Sequence, residues 1–130
     1  MDRLFEPLGL DHVVLRVRDQ EASRRFYCDL LGATLDHINP KFSLVQLRFG
    51  QALIDLLPLD PQAPAPEAET GMDHVCLSIR CDDLGKVADA LRAGGVAVEG
   101  EVVERRGAFG QGPSIYIRDL DGYRVELKPR

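Results

Sequence analysis

The residues of this chain best suited to holding a divalent cation come in two matched sets. His12 stands near the start of "GLDHVVLRVRD" (9–19) and His74 near the start of "GMDHVCLSIRC" (71–81), and Gly, Asp, His, Val, Leu and Arg recur at six equivalent places in the two phrases. A carboxylate accompanies each histidine later in its half. Asp55 lies between Ile54 and Leu56 in "ALIDLL", and Glu126 lies between Val125 and Leu127 in "YRVELK". A carboxylate inside so apolar a strand is costly to bury without a partner, and a shared cation is the simplest partner for both. Two imidazoles and two carboxylates suit Zn, Ni, Co, Mn or Fe(II), and two histidines with one carboxylate and open positions also suit oxygen chemistry. A lone strand histidine is more often a hydrogen-bonded structural residue, so the argument for metal rests on the duplication. His37 has no duplicate and is expected at the surface.

The elements that must position these groups are also written twice. "HVVLRV" and "HVCLSI" are rich in β-branched residues and alternate as strands do. Alternation puts His12, Val14 and Arg16 on one face of the first, with Val13, Leu15 and Val17 on the other, and it puts His74, Cys76 and Ser78 on the matching face of the second. Asp19 is an N-cap candidate before a helix carrying Ala22, Phe26, Leu30 and Leu31, which Gly32 stops. Asp82 or Asp83 caps a second helix carrying Leu84, Val87, Ala88 and Leu91, which Gly94 and Gly95 stop. Three strand-like segments follow each helix: "ATLDHI", "FSLVQLRF" and "ALIDLL", then "VAVEGEVV", "PSIYIR" and "YRVELK". The plan is β-α-β-β-β twice, with module one at about 9–57 and module two at about 72–128. The stretch 58–71, with four prolines, is the linker. "DLDG" (119–122) is a hairpin turn that makes the last two strands antiparallel neighbours. "RRGAFGQGP" (105–113) reads as a glycine-rich loop, suited to tight turns or a flap. It is no phosphate-binding loop, because no Gly-Lys-Ser/Thr follows.

Bulk properties narrow the partners. The 130 residues suit one compact domain with a real core. A net charge of −5 argues against nucleic acid or an anionic membrane as the main partner, since both call for basic patches. No apolar run approaches a membrane span, and "MDRLFEPLGL" has no signal-peptide pattern. Cys28, Cys76 and Cys81 are odd in number and form no C-x-x-C pair, which suits free thiols in a reducing cytoplasm.

"LDHVVLRVRD", "FYCDLLGATLD", the second "DHVCLSIRCDD" and "GPSIYIRDLDGYRVELK" together resemble the vicinal oxygen chelate superfamily, which includes glyoxalase I, fosfomycin-inactivating thiol transferases, extradiol dioxygenases and bleomycin-binding proteins. The resemblance covers nearly the whole chain. It implies an α+β fold in which two βαβββ modules form a curved mixed sheet around a metal-holding cup. By matched position it implies the ligands His12, His74 and Glu126, with Asp55 where glyoxalase I carries a glutamate. Asp55 is one methylene shorter, which makes it the weaker ligand. Arg16 matches the glyoxalase arginine that grips the glutathione carboxylate, whereas Leu59 replaces an asparagine of that site. Tyr116 resembles the substrate-contacting tyrosine of fosfomycin-modifying relatives, but Val14 replaces their threonine. Ser78 answers Arg16 across the repeat, so the site is expected to be symmetric at the metal and asymmetric at the substrate.

The resemblance implies a small-molecule substrate, with no nucleic acid or membrane partner, and a homodimer whose cups are completed by modules of two chains. The leading expectation is a metal-dependent lyase or isomerase of the glyoxalase type. In it a divalent ion acts as Lewis acid on two neighbouring substrate oxygens, and Glu126 or Asp55 serves as general base. The substrate could be a glutathione or other thiol adduct. Two alternatives stand beside it: an Fe(II) extradiol-type dioxygenase using His12, His74 and Glu126, and a non-catalytic small-molecule-binding protein.

Overall fold

The structure, a computed structural model, describes residues 8–65 and 72–130. Gly71 and the rest of 66–71 at the end of the proline-rich stretch lie outside the described residues, as does most of the N-terminal segment read for a signal peptide. The chain divides into two compact units between Pro61 and Gln62, within the stretch read as linker.

The first unit contains β1 (His12–Val17), α1 (Gln20–Arg25), β2 (Thr34–Asn39), β3 (Leu44–Phe49) and β4 (Ala52–Pro58). Its sheet has the order β1-β4-β3-β2, with β1 and β4 parallel and the other pairs antiparallel. Asp19 caps α1 by accepting the Ala22 amide at 2.9 Å. The helix then loosens into a π-helical segment, Phe26–Leu30, and Gly32 follows with a positive φ of 83°. Leu15, Val17, Phe26, Tyr27, Leu47, Ile54 and Leu56 are buried, so the apolar face of β1 joins the core as its alternation requires. His37 is exposed on β2.

The second unit repeats the plan with β5 (Val75–Ile79), α2 (Leu84–Ala93), β6 (Ala97–Gly107), β7 (Gly110–Arg118) and β8 (Arg124–Pro129), in the order β5-β8-β7-β6. Again the first and last strands are parallel. Asp83, rather than Asp82, caps α2 by accepting the Lys86 amide at 3.2 Å. Leu84, Ala88 and Leu91 face the core. In the turn before β8, the Asp119 carboxylate accepts the amides of Asp121 and Tyr123 at 3.0 and 2.8 Å.

Residues 105–113 differ from the loop their glycines suggest. β6 runs to Gly107 and β7 starts at Gly110, so the segment is the end of a hairpin with only Ala108 and Phe109 in its turn. The reason lies on β8, where the Lys128 ammonium donates to the carbonyls of Arg105 and Gly112, at 2.6 and 2.9 Å, and ties both hairpin arms to the strand. Among the described residues no helix is long and apolar enough to cross a membrane.

A register shift between Glu99 and Val103 on β6, with Gly100 at a φ of 63°, accompanies a three-strand ion network. Glu99 accepts from Arg118 on β7 and, at 3.0 Å, from Arg124 on β8. Partial burial alone would raise the Glu99 pKa, but the two guanidiniums outweigh it and hold the carboxyl below its usual range. A depressed carboxyl pKa stabilises the fold above the unfolded value, and this contribution is lost as pH falls through the folded value. Glu99→Gln should therefore cost about 1 kcal/mol at pH 7, the half-exposed network being screened by solvent. The gap from the parent protein should narrow as pH drops below about 4.5. Urea denaturation at pH 7 and pH 3.5 measures both.

Candidate metal centre

In each unit, parallel pairing of the first and last strands brings a histidine to a carboxylate. Val14 is in register with Asp55, and Cys76 with Glu126. His12 and His74 lie two residues earlier on the same faces, so each ring reaches the neighbouring carboxylate. His74 Nε2 lies 3.0 Å from Glu126 Oε1, and His12 Nε2 lies 4.0 Å from Asp55 Oδ2. The additional ångström in the first unit agrees with the shorter aspartate side chain. Both carboxylates are buried, at 3% exposure for Asp55 and 5% for Glu126.

The other ring nitrogen is used identically in both units. His12 Nδ1 lies 2.7 Å from Asp11 Oδ1, and His74 Nδ1 lies 2.6 Å from Asp73 Oδ1. An Nδ1–H donated to a carboxylate orients the ring and leaves the Nε2 lone pair for a ligand, the outer-shell arrangement of metal-bound histidines. The hydrogen bond to Asp11 also raises the His12 pKa; desolvation opposes this and the Asp55 charge adds to it. The hydrogen bond to His74 lowers the Asp73 pKa, against desolvation and with help from nearby positive charge.

The donor set fits a divalent ion of the zinc, nickel or iron kind. Nitrogen and oxygen ligands about 2.1 Å from one ion, at right to tetrahedral angles, stand about 3.0–3.4 Å apart, and the His74–Glu126 pair has that spacing. Among the described residues no three His, Cys, Asp or Glu side chains are gathered to hold an ion together. Each unit brings together one histidine and one carboxylate that could serve as a pair of donors.

The halves differ in what stands behind the carboxylate. Among the described residues, the Asp55 oxygens accept from the Gln46 amide, at 3.1 and 3.2 Å. Glu126 Oε2 accepts a 2.6 Å bond from the Ser114 hydroxyl, which in turn accepts from Lys128 Nζ at 3.4 Å. Strand register makes Leu44 and Leu57 the first-unit counterparts of Ser114 and Lys128. Asp11 and Asp73 belong to the repeated Asp-His dipeptide, so their role had a signal in the sequence. Gln46, Ser114 and Lys128 had none.

Beside His74 and Glu126 the second unit encloses a cavity of about 440 Å³, a usual size for a small-molecule site. Cys76 and Ser78 line it from β5, and the tip of the β6–β7 hairpin forms another wall. Gly107 is there because Lys128 passes so close, and an added Cβ would sit 2.9 Å from its Cδ and Cε. Tyr116 is buried at 7% exposure and does not line this cavity. Its ring meets His74 edge-on at 5.6 Å between centroids, with the Arg124 guanidinium over it at 3.9 Å. Arg16 is on the exposed side of β1 and donates to the Pro58 carbonyl at 3.2 Å.

Two βαβββ units, each closing a histidine on a carboxylate, are the plan that the family comparison also finds. The chain belongs to the Glyoxalase/Bleomycin resistance protein/Dioxygenase superfamily, whose profile matches residues 9–127. It is 36% identical over 122 residues to a virulence protein of Salmonella typhimurium, covering 91% of this chain and 81% of that one. It is 29% identical over 126 residues to a probable lactoylglutathione lyase of Synechocystis, covering 89% and 91% of the two chains. A solved structure from the mobile metagenome of V. pseudocholerae superposes with a TM-score of 0.75 at 29% identity, covering 98% of each chain.

Cys76 shares the face of His74, but its thiol is a poor nucleophile. Desolvation, with the Glu126 charge beside it, pushes the pKa up to about 11. Since the thiolate is the reactive form, alkylation of Cys76 by iodoacetamide at pH 7.5 should be slower in chelator-treated folded protein than in the same protein unfolded in urea. It should accelerate only as pH climbs toward 11, as followed by peptide mass spectrometry.

Proposed function

We propose that this chain is a metal-dependent enzyme of the glyoxalase type, a lyase or isomerase whose small substrate offers two neighbouring oxygens to a divalent ion. The observation that carries this reading is the repeated Asp–His–carboxylate arrangement, Asp11–His12–Asp55 and Asp73–His74–Glu126. Relatives named lactoylglutathione lyase support the reaction class, and a glutathione or other thiol adduct is the corresponding substrate. Module one, about 9–57, would supply His12 and Asp55, and module two, about 72–128, would supply His74 and Glu126. We take the complete site to form in a homodimer, where modules of two chains meet. Three unpaired cysteines suit the cytoplasm.

When bound, the ion supplies Lewis acidity that stabilises negative charge on the chelating oxygens. The protein residues do the rest. Asp11 and Asp73 hold the imidazoles in the ligating tautomer. Ser114, backed by Lys128, holds Glu126 Oε2 and keeps that carboxylate in place. Asp55, 4.0 Å from His12 and tied to an amide, has more freedom to take a proton from the carbon beside the chelating oxygens and return it to the neighbouring one. General-base help of this kind is typically worth ~10²–10⁴-fold. Arg16 would hold an anionic group of the substrate, Ser78 would contact the substrate from β5, and Tyr116 would fix the His74 ring.

One observation favours a second reading. The longer 4.0 Å separation of Asp55 from His12 singles out His12, His74 and Glu126 as a two-histidine, one-carboxylate set, which suits an Fe(II) dioxygenase. Oxygen uptake with catechols in the presence of Fe(II) is the measurement that favours it over the lyase.

Metal analysis of protein purified without chelators should find a stoichiometric divalent ion, and methylglyoxal with glutathione should be turned over. His74→Ala should abolish metal retention. Asp73→Ala should weaken metal affinity by about 10–100-fold with the fold intact. Asp55→Asn should lower kcat by at least ~10²-fold while metal is retained. A protein that holds no metal and gains no activity with Ni, Co, Zn or Mn would overturn the proposal.

A further inference from the structure

The charge around the second-unit cavity runs against the rest of the molecule. The chain has 21 acidic and 16 basic residues, yet the cavity wall carries Arg106, Lys128 and Arg130 against a single acid, Glu126. Several arginines elsewhere are matched. Arg24, Arg48, Arg92 and Arg124 have carboxylate oxygens at 3.0, 3.2, 3.5 and 3.0 Å, and Arg118 is bonded to Glu99.

Arg106 and Arg130 have no carboxylate partner among the described residues. Lys128 spends its donors on Arg105, Gly112 and Ser114. Arg130 is held by stacking, its guanidinium 4.3 Å from the centre of the Phe109 ring. A guanidinium lying on an aromatic face keeps its in-plane N–H fork for a ligand. Its backbone is anchored too, the Arg130 amide donating to the Ile79 carbonyl at 3.1 Å. Arg106 is paired with Gln111 in the ladder of the hairpin, which holds its backbone in register. Ser78 and Arg130 continue into an adjoining recess of about 190 Å³ bordered by Arg80, another arginine without a carboxylate partner among the described residues.

We infer that this cavity binds a substrate with an oxyanion tail, carboxylate or phosphate, which Arg106 and Arg130 grip while its chelating oxygens lie toward His74 and Glu126. The inference rests on the proposed metal chemistry for the reacting end of the substrate, and on the arginine cluster for the tail. It makes the β6–β7 hairpin tip a specificity element: Phe109 seats Arg130, and Gly107 and Gly112 let the hairpin close around Lys128. Charge-assisted bonds of this kind hold anions well in a partly enclosed site, where water screens them less.

Three probes sharing a 2-hydroxy acid head test it by calorimetric titration of the metal-loaded protein: glycerate with no anionic tail, malate with a carboxylate tail and 3-phosphoglycerate with a phosphate tail. At least one tailed probe should bind tenfold or more tighter than glycerate, and which one does so identifies the oxyanion. Arg106→Met and Arg130→Met should each erase most of that preference and leave glycerate affinity and the melting temperature unchanged, since both side chains are exposed. Raising NaCl should shrink the preference. Equal affinity for all three probes, or a preference that survives both substitutions, would overturn the inference. The same titrations on chelator-treated protein separate the two readings. Loss of glycerate binding without metal supports the metal chemistry. Glycerate binding that ignores metal removal counts against that chemistry, and the tail preference then judges the arginine site on its own.

Discussion

The parallel pairing of the first and last strand within each unit is the constraint on which the rest depends. Parallel neighbours cannot be joined by a tight turn and need a long connection. The helix and the two intervening strands supply it, from Arg18 to Gln51 in one unit and from Arg80 to Tyr123 in the other. Because pairing is register-specific, the contact of Val14 with Asp55 and of Cys76 with Glu126 places each histidine over its carboxylate. A slip of one residue would turn every side chain of the strand to the opposite face and send the carboxylates toward the helices. The apolar residues on either side, Ile54 with Leu56 and Val125 with Leu127, oppose that slip because they are buried.

On this shared frame the two units have taken different parts. Among the described residues Asp55 accepts from the Gln46 amide, with Leu44 and Leu57 at the positions where Ser114 and Lys128 brace Glu126. The cavity follows the same division, since Lys128 that braces Glu126 through Ser114 also ties down the hairpin forming the cavity wall. The Glu126 carboxylate and the cavity wall are therefore coupled through one buried ammonium.

Much of this was legible in local patterns. Alternation in "HVVLRV" and "HVCLSI", the aspartates before each helix and the glycines after it led to the βαβββ plan, and superfamily membership agrees with it. The candidate ligands followed from the repeated histidines and from carboxylates stranded among apolar neighbours. The hairpin at 105–113 was not legible, because its glycines suit a loop equally well and the group that orders them is a lysine on another strand. Tyr116, whose type suits a substrate contact, is packed between His74 and Arg124.

By itself the sequence determined what repeats: two modules, their strand faces, their caps, and one histidine and one carboxylate in each. These depend on periodicity and on the intrinsic preferences of residues a few positions apart. Tertiary structure alone decided that the first strand lies beside the last, that a serine and a lysine stand behind Glu126 where an amide stands behind Asp55, and that Arg106 and Arg130, without carboxylate partners among the described residues, line the cavity. Those outcomes depend on which side chains become neighbours across strands far apart in the chain, and only the folded register specifies that.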